Sequence, residues 1–356
     1  MHAIRLHAFG PAENLTYETV EDPRPAAGQV RIAVAAAGVH LVDTAIRRGD
    51  KGPLPELPEL PTIPGREVAG TVESVGEGVS ADWLGKRVVA HIGLAPGGYA
   101  ELTVVDVARL HELPEGPEVS EGRERPKGPE LSEGPRGMDF AEAVALIGTG
   151  RTTMGILQFV ELDARSVVVI PAAAGGIGTL LVQYAKHAGA TVVGLAGGAA
   201  KVARVREYGA DLAVDYREAG WLDEVRGFLK GLEDGGRAVT AVLDGVGGET
   251  GRALVGLLGD GGTHVTFGWS EQKGPVELSE AELAARGIAQ VNPLGQAMLV
   301  KAGGENPLRA LELAALRAYA GGYFTPAVQR FPLAEAASAH AALESRGTYG
   351  KVVLVP

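Results

Sequence analysis

The residues whose types and spacing promise chemistry begin with a glycine turn. Pro171-Ala172-Ala173-Ala174-Gly175-Gly176-Ile177-Gly178 follows the apolar run Ser166-Val167-Val168-Val169-Ile170 and leads into an amphipathic stretch ending at His187. On the pattern G-x-G-x-x-G, Ala173 stands at the first glycine position, with Gly175 and Gly178 at the other two. Glycine at 175 lets a pyrophosphate approach the backbone. Glycine at 178 lets the helix lie close on the strand, and the unpaired N–H groups at the helix start favour an anion. The spacing predicts a dinucleotide site on a strand-turn-helix unit; a tight turn without ligand is the plainer alternative. The next strand ends Leu195-Ala196-Gly197-Gly198-Ala199-Ala200-Lys201, without the carboxylate that would take a ribose 2'-hydroxyl. Small residues there leave room for a 2'-phosphate, whose charge Lys201 and Arg204 can meet. A cation in a helix's first turn is disfavoured by the helix dipole unless an anion is near. NADPH is therefore the expected cofactor.

Other chemistries are excluded early. The chain has 356 residues and no cysteine, which removes disulfides, thiolate nucleophiles and cysteine-ligated metals. No two histidines show metal-ligand spacing. Lys and Arg total 33 against 44 Asp and Glu, a net charge of -11 that opposes binding to nucleic acid or anionic membranes. The start, Met1-His2-Ala3-Ile4-Arg5-Leu6, alternates like a strand, and no apolar run approaches the ~20 residues that span a bilayer. A cytoplasmic protein is expected.

The elements that must position the turn fall into two patterns. Up to about residue 112, short strands alternate with Gly and Pro: Gln29–Val34, Gly70–Val75 and Lys86–Ala90, an all-β pattern. From Met138, helical stretches alternate with apolar runs such as Ser166–Ile170, Ala190–Leu195, Leu212–Asp215, Ala241–Asp244 and Thr263–Phe267. Buried runs separated by helices predict a doubly wound parallel sheet. Between the two patterns, Glu115–Gly137 is rich in Gly, Pro, Glu and Arg, with Gly116–Gly122 imperfectly repeated as Gly128–Gly134. It reads as a solvated, low-complexity insertion.

With these residues go further landmarks: Ala36-Ala37-Gly38-Val39-His40-Leu41-Val42-Asp43 with Arg47 and Gly49, Pro64-Gly65-Arg66-Glu67-Val68-Ala69-Gly70, and Gly97-Gly98-Tyr99-Ala100-Glu101. Later come Asp244-Gly245-Val246-Gly247-Gly248, Phe267-Gly268, Pro332–Glu344 and Gly350-Lys351-Val352-Val353-Leu354. In order and spacing the chain resembles the medium-chain dehydrogenase/reductase superfamily, specifically its zinc-independent quinone oxidoreductase (zeta-crystallin-like) branch, over nearly its whole length. The resemblance implies an α/β protein: a Rossmann doubly wound domain at 141–293, and a GroES-like β-rich catalytic domain built from both chain ends, 1–140 and 294–356. NADPH would lie in the cleft between them. The cofactor-binding residues implied are Thr152 by the nicotinamide, Ala174, Gly175, Gly176, Ile177 and Gly178 at the pyrophosphate, and Lys201 and Tyr216 at the 2'-phosphate. Asp244, Val246, Gly247, Phe267 and Gly268 would line the nicotinamide end, with Arg346 and Lys351 nearby. A homodimer joined through residues 287–293 is also implied.

Departures from the family bear on mechanism. In zinc-dependent relatives the positions of His40 and Arg66 are a ligating Cys and a ligating His, and arginine cannot ligate zinc. The quinone branch usually has Asn at the position of His40 and often Tyr at that of Ala45. His40, Asp43 and Glu67 are the catalytic candidates. His40 could donate a proton, or shape the pocket while solvent supplies it; Asp43 and Glu67 read as structural or water-orienting in preference to proton-transferring. His340 is expected to be packed, and His91 and His264 to be ordinary core or cleft histidines. Hydride transfer from NADPH to a quinone or α,β-unsaturated carbonyl is the expected reaction, since no metal polarises the acceptor. Its rivals are an enoyl-thioester reductase on the same scaffold, and a non-catalytic NADPH-binding protein that uses 115–137 as a partner contact.

Overall fold

A computed structural model describes residues 1–52, 54–93, 97–114, 137–233, 235–271 and 273–356. The expected insertion lies outside the described residues, Gly137 excepted. The strands are β1 (His2–Leu6), β2 (Leu15–Thr19), β3 (Gln29–Val39), β4 (Glu67–Val75), β5 (Arg87–His91), β6 (Leu102–Asp106), β7 (His111–Glu112), β8 (Val167–Ile170), β9 (Thr191–Ala196), β10 (Leu212–Asp215), β11 (Val239–Asp244), β12 (Leu258–Thr266), β13 (Ala289–Val291), β14 (Val328–Pro332) and β15 (Lys351–Val355). The helices are α1 (Leu41–Arg48), α2 (Phe140–Ala145), α3 (Arg151–Leu157), α4 (Gly176–His187), α5 (Ala199–Glu207), α6 (Trp221–Glu233), α7 (Gly248–Val255), α8 (Glu280–Arg286), α9 (Gln296–Ala302), α10 (Pro307–Ala320) and α11 (Ala336–Glu344). Two compact units form, Met1–Gly148 with Val328–Pro356, and Thr149–Ala327. Residues 141–148 thus lie with the first unit. Residues 294–327 lie with the second, where α9 and α10 pack on α3. The resemblance puts these breaks at 140 and 293.

In the first unit the main sheet runs β14-β15-β3-β4-β5-β7 among the described residues, with β6 also paired to β3. Early in β3 buried and half-buried residues alternate, so Val30, Ile32 and Val34 enter the core while their neighbours face outward. The end of β3 is buried on both faces because α2 packs on it. Register then sets the site. Antiparallel pairing puts Val352 opposite Val39, which carries Lys351 to His40 at the end of β3. Glu67 opens β4 on the strand next to β3. Helix α1 starts after His40, whose N–H donates to the Asp43 carboxylate, and ends at Gly49, whose φ of 98° only glycine adopts readily.

In the second unit the strands are all parallel, in the order β10-β9-β8-β11-β12-β13. All four residues of β8 are fully buried, as expected where helices cover both faces of a sheet. Strand order reverses between β8 and β11, and ligands of such sheets bind past the strand ends at that reversal. The glycine turn follows β8, and the Asp244 loop follows β11.

Candidate active site and dinucleotide site

Three charged groups from distant parts of the sequence meet in the first unit. Glu67 has no exposed surface; its Oε1 lies 2.6 Å from His40 Nε2 and its Oε2 lies 2.8 Å from Lys351 Nζ. Lys351 Nζ is also 2.7 Å from His40 Nε2. The carboxylate fits only because its neighbours lack side chains. A Cβ at Gly38 or Gly148 would collide with it, and Gly148 lies in a π-helical turn, Leu146–Gly150, that joins α2 to α3. Burial alone would raise the Glu67 pKa, but the charges of His40 and Lys351 outweigh it and hold the carboxyl well below its usual range. Burial lowers the Lys351 pKa against the pull of Glu67. Of the three side chains only His40, 24% exposed, meets solvent appreciably; Lys351 is 4% exposed.

Asp43 anchors a second network. It accepts from His40 N–H at 2.8 Å, Arg66 Nε at 3.2 Å and the Tyr99 hydroxyl at 3.3 Å. The Tyr99 oxygen lies 3.2 Å from Nε2 of His340, whose Nδ1 has no partner, so His340 Nε2–H donates to Tyr99 and Tyr99 donates to Asp43. Burial first, and then Asp43, push the Tyr99 pKa well above its usual value, and the phenol keeps its proton. Burial lowers His340 to about 4, so this packed histidine is neutral. Asp43 thus spends its carboxylate on orienting His40, Arg66 and Tyr99. Tyr99 was legible only as a landmark beside Gly97-Gly98.

In the second unit the glycine turn has the predicted form. Helix α4 starts at Gly176, two residues earlier than the amphipathic pattern suggests, because the glycines carry no apolar signal. Ala172 takes a φ of 52°, a left-handed conformation strained for alanine, and a Cβ at Gly178 would strike the backbone of Ala172 and Ala173. These are the close approaches a pyrophosphate site needs, with the first N–H groups of α4 lacking partners inside the helix.

At the other loop, Asp244 is fully buried. Its Oδ1 accepts from Val246 N–H at 2.8 Å and Gly247 N–H at 2.9 Å, and its Oδ2 lies 3.2 Å from His264 Nε2. Gln290 donates to His264 Nδ1 at 3.0 Å and to the Val276 carbonyl at 2.7 Å. Phe267 N–H donates to the Asp244 carbonyl at 2.8 Å, its ring packs on Gly245, and a Cβ at Gly268 would crowd the same backbone. Asp244 therefore braces the loop. His264 and Gln290, which extend that brace, carry no sequence motif.

At the end of β10, Asp215 accepts from Gly198 N–H at 2.7 Å and from Arg217 Nε at 3.3 Å. The Arg217 side chain and the Tyr216 hydroxyl lie against Gly197, and Arg217 continues over Gly198. Arg217, unlike Lys201 on α5, was not anticipated; it comes from the next strand's end rather than from the turn itself. Thr152 lies in the first turn of α3, and Arg346 holds a left-handed turn, φ 58°, after α11. Among the described residues, no three or more His, Cys, Asp or Glu are grouped to hold a metal ion. No helix among them is long and apolar enough to cross a membrane.

Residues 26–115 match the alcohol dehydrogenase GroES-like domain, and residues 176–296 match the model described as zinc-binding dehydrogenase. A quinone oxidoreductase of Pseudomonas aeruginosa is 31% identical over 355 residues, covering 99% of each chain. A 2-haloacrylate reductase of a Burkholderia species is 29% identical over 359 residues, covering 99% of this chain and 98% of the relative. The solved structure of Escherichia coli quinone oxidoreductase complexed with NADPH superposes with a TM-score of 0.78 at 27% identity, covering both chains completely. The chain belongs to the medium-chain dehydrogenase/reductase superfamily, in its quinone oxidoreductase branch.

Proposed function

We propose that this chain is an NADPH-dependent reductase of quinones and α,β-unsaturated carbonyl compounds. The observation that carries the reading is the strained turn Ala172–Gly178 opening α4, with Arg217 lying against Gly197 and Gly198. Such a cradle suits a dinucleotide, and its cation suits a 2'-phosphate. Gly175 to Gly178 would hold the pyrophosphate, and Arg217, Lys201 and Tyr216 the 2'-phosphate. Val246, Gly247, Phe267 and Gly268, held by Asp244, would line the nicotinamide end. When bound, NADPH supplies a hydride.

The chain's own part in the chemistry is to manage the proton. Nε2 of His40 faces Glu67 and Lys351, which hold opposite charges beside it. The ring is the member of the cluster that meets solvent, so it is the group placed to give a proton to the reduced acceptor and be recharged from water. The full-length relatives named for quinone and 2-haloacrylate reduction support the acceptor class. We further place the protein in the cytoplasm as a homodimer. The outer edge of β13, which closes the sheet among the described residues, is open to pair with a second copy.

The test is NADPH oxidation by purified protein with 1,4-benzoquinone, methyl vinyl ketone and a crotonyl thioester. Turnover of the first two with NADPH preferred over NADH supports the reading. Turnover confined to the thioester replaces it with an enoyl-thioester reductase, and tight NADPH binding without turnover replaces it with a sensor.

A further inference from the structure

We propose that the first unit also carries a receptor for the carboxylate of an acidic unsaturated substrate, with Arg66 as its ligand-facing cation. This rests on the reductase reading above and names a substrate class within it.

A recess in this unit is walled by apolar side chains, among them Leu6, Ile46 and Leu54, and receives polar groups from Asp43, Arg47 and Arg66. An apolar wall with arginines in it needs an explanation, because a cation in such surroundings gains most from an anion that follows it there. Asp43 is not that anion in full. It already accepts from His40, Arg66 and Tyr99, and it takes Arg66 through Nε alone at 3.2 Å. That contact holds the guanidinium by one corner and leaves its two terminal nitrogens without an acceptor among the described residues. The side chain is 11% exposed. A planar fork with both terminal N–H groups free is the shape that takes a carboxylate by two parallel hydrogen bonds.

Arg47 supplies an independent observation. It is 2% exposed, and only its Nη2 is satisfied, by Glu344 at 2.6 Å; Nε and Nη1 are buried without partners. Glu344 Oε1 must serve Arg48 as well. Buried donors of this kind are rare in native proteins and mark a missing ion or water. Two incompletely matched arginines on one small apolar recess favour a monoanion with two oxygens.

The chemistry is consistent with the reaction proposed. In an α,β-unsaturated acid the hydride pair from NADPH goes to the β-carbon, the π pair moves to the α-carbon, and that carbon takes a proton. The alkene is reduced and NADPH is oxidised to NADP⁺. A carboxylate activates an alkene weakly, and a guanidinium on its oxygens draws off the charge that builds up as hydride arrives.

The experiment uses the full chain, with butyrate and its uncharged analogue butyramide as calorimetric probes. The wild type should bind butyrate at least about tenfold more tightly than butyramide. Arg66→Gln should abolish that preference, and Arg66→Lys, which keeps the charge and loses the fork, should restore part of it. Equal binding of the two probes by the wild type, no binding of butyrate, a preference that survives in Arg66→Gln, or equal displacement of butyrate by phosphate would each overturn the proposal. Should Arg66→Gln fail to fold, the wild-type comparison and Arg66→Lys still decide. Turnover of crotonate, crotonamide and benzoquinone separates the two readings. Quinone reduction without a butyrate preference removes only the receptor. A butyrate preference without any turnover removes the reductase reading and leaves the receptor.

Discussion

Glu67 and Asp244 are both carboxylates with no exposed surface, one in each unit, yet they are held in different ways. Asp244 is surrounded by fixed donors: two backbone N–H groups and His264, itself held by Gln290. Glu67 faces two side chains that carry or exchange protons, and one of them reaches solvent. The first arrangement fixes one geometry, as a brace under a loop requires. The second sets a buried carboxylate between two side chains that can carry positive charge, in a low-dielectric setting where each contact acts strongly. The incompletely matched arginines and His340 Nδ1 lie in the same unit as Glu67.

Removing Glu67 should break this contrast most severely. Glu67→Leu leaves Lys351 buried without its counter-charge, and stability should fall by about 3–5 kcal/mol in urea denaturation. Glu67→Gln keeps the shape and should cost less, while still slowing proton delivery. If Glu67→Leu is as stable as the wild type, the cluster is not a coupled charge network. The next effect is one of pH. Folding lowers His340 from 6.5 to about 4, so the stability it confers is complete above pH 6.5 and is lost as pH falls towards 4. The loss should reach roughly 3 kcal/mol. A His340→Gln variant, compared with wild type by denaturation at a series of pH values, should lack that component. Glu67, whose pKa is depressed, withdraws its contribution only below the ordinary carboxylate value of 4.5, so the two windows are separable.

The brace should respond differently. His264→Leu leaves one oxygen of Asp244 and the amide of Gln290 without their partner, costing about 1–3 kcal/mol of stability. If the loop holds the cofactor, KM for NADPH should rise several-fold while kcat changes little; a fall in kcat alone would place His264 in the chemistry and erase the contrast. These two networks also mark the limit of sequence reading. The turn Ala172–Gly178 was legible because glycine spacing acts directly on the local backbone. His40 and Lys351 are 311 positions apart, and their meeting depends on the register of β15 on β3. No local pattern encodes that register, so the resemblance named Lys351 without linking it to Glu67. His264 and Gln290 are directly paired across β12 and β13, and each alone reads as an ordinary strand residue. Gly148 belongs to no motif, and its part shows only in the Glu67 carboxylate lying against it.

Arg217 gives the smallest effect and the cleanest separation of cofactor binding from proton chemistry. Its side chain is 62% exposed and is tied to Asp215, so its removal should hardly alter stability. Arg217→Ala should raise KM for NADPH by about tenfold, the order expected for one exposed charge-assisted hydrogen bond to a phosphate. KM for NADH, which lacks that phosphate, should stay unchanged. The pH profile of kcat should not move, because the cluster proposed to manage the proton belongs to the other unit and shares no residue with this turn. An equal rise in both KM values would show that Arg217 merely shapes the Gly197-Gly198 backbone. Lys201 would then be the cation to test next, since a lysine in the first turn of α5 is otherwise opposed by the helix dipole.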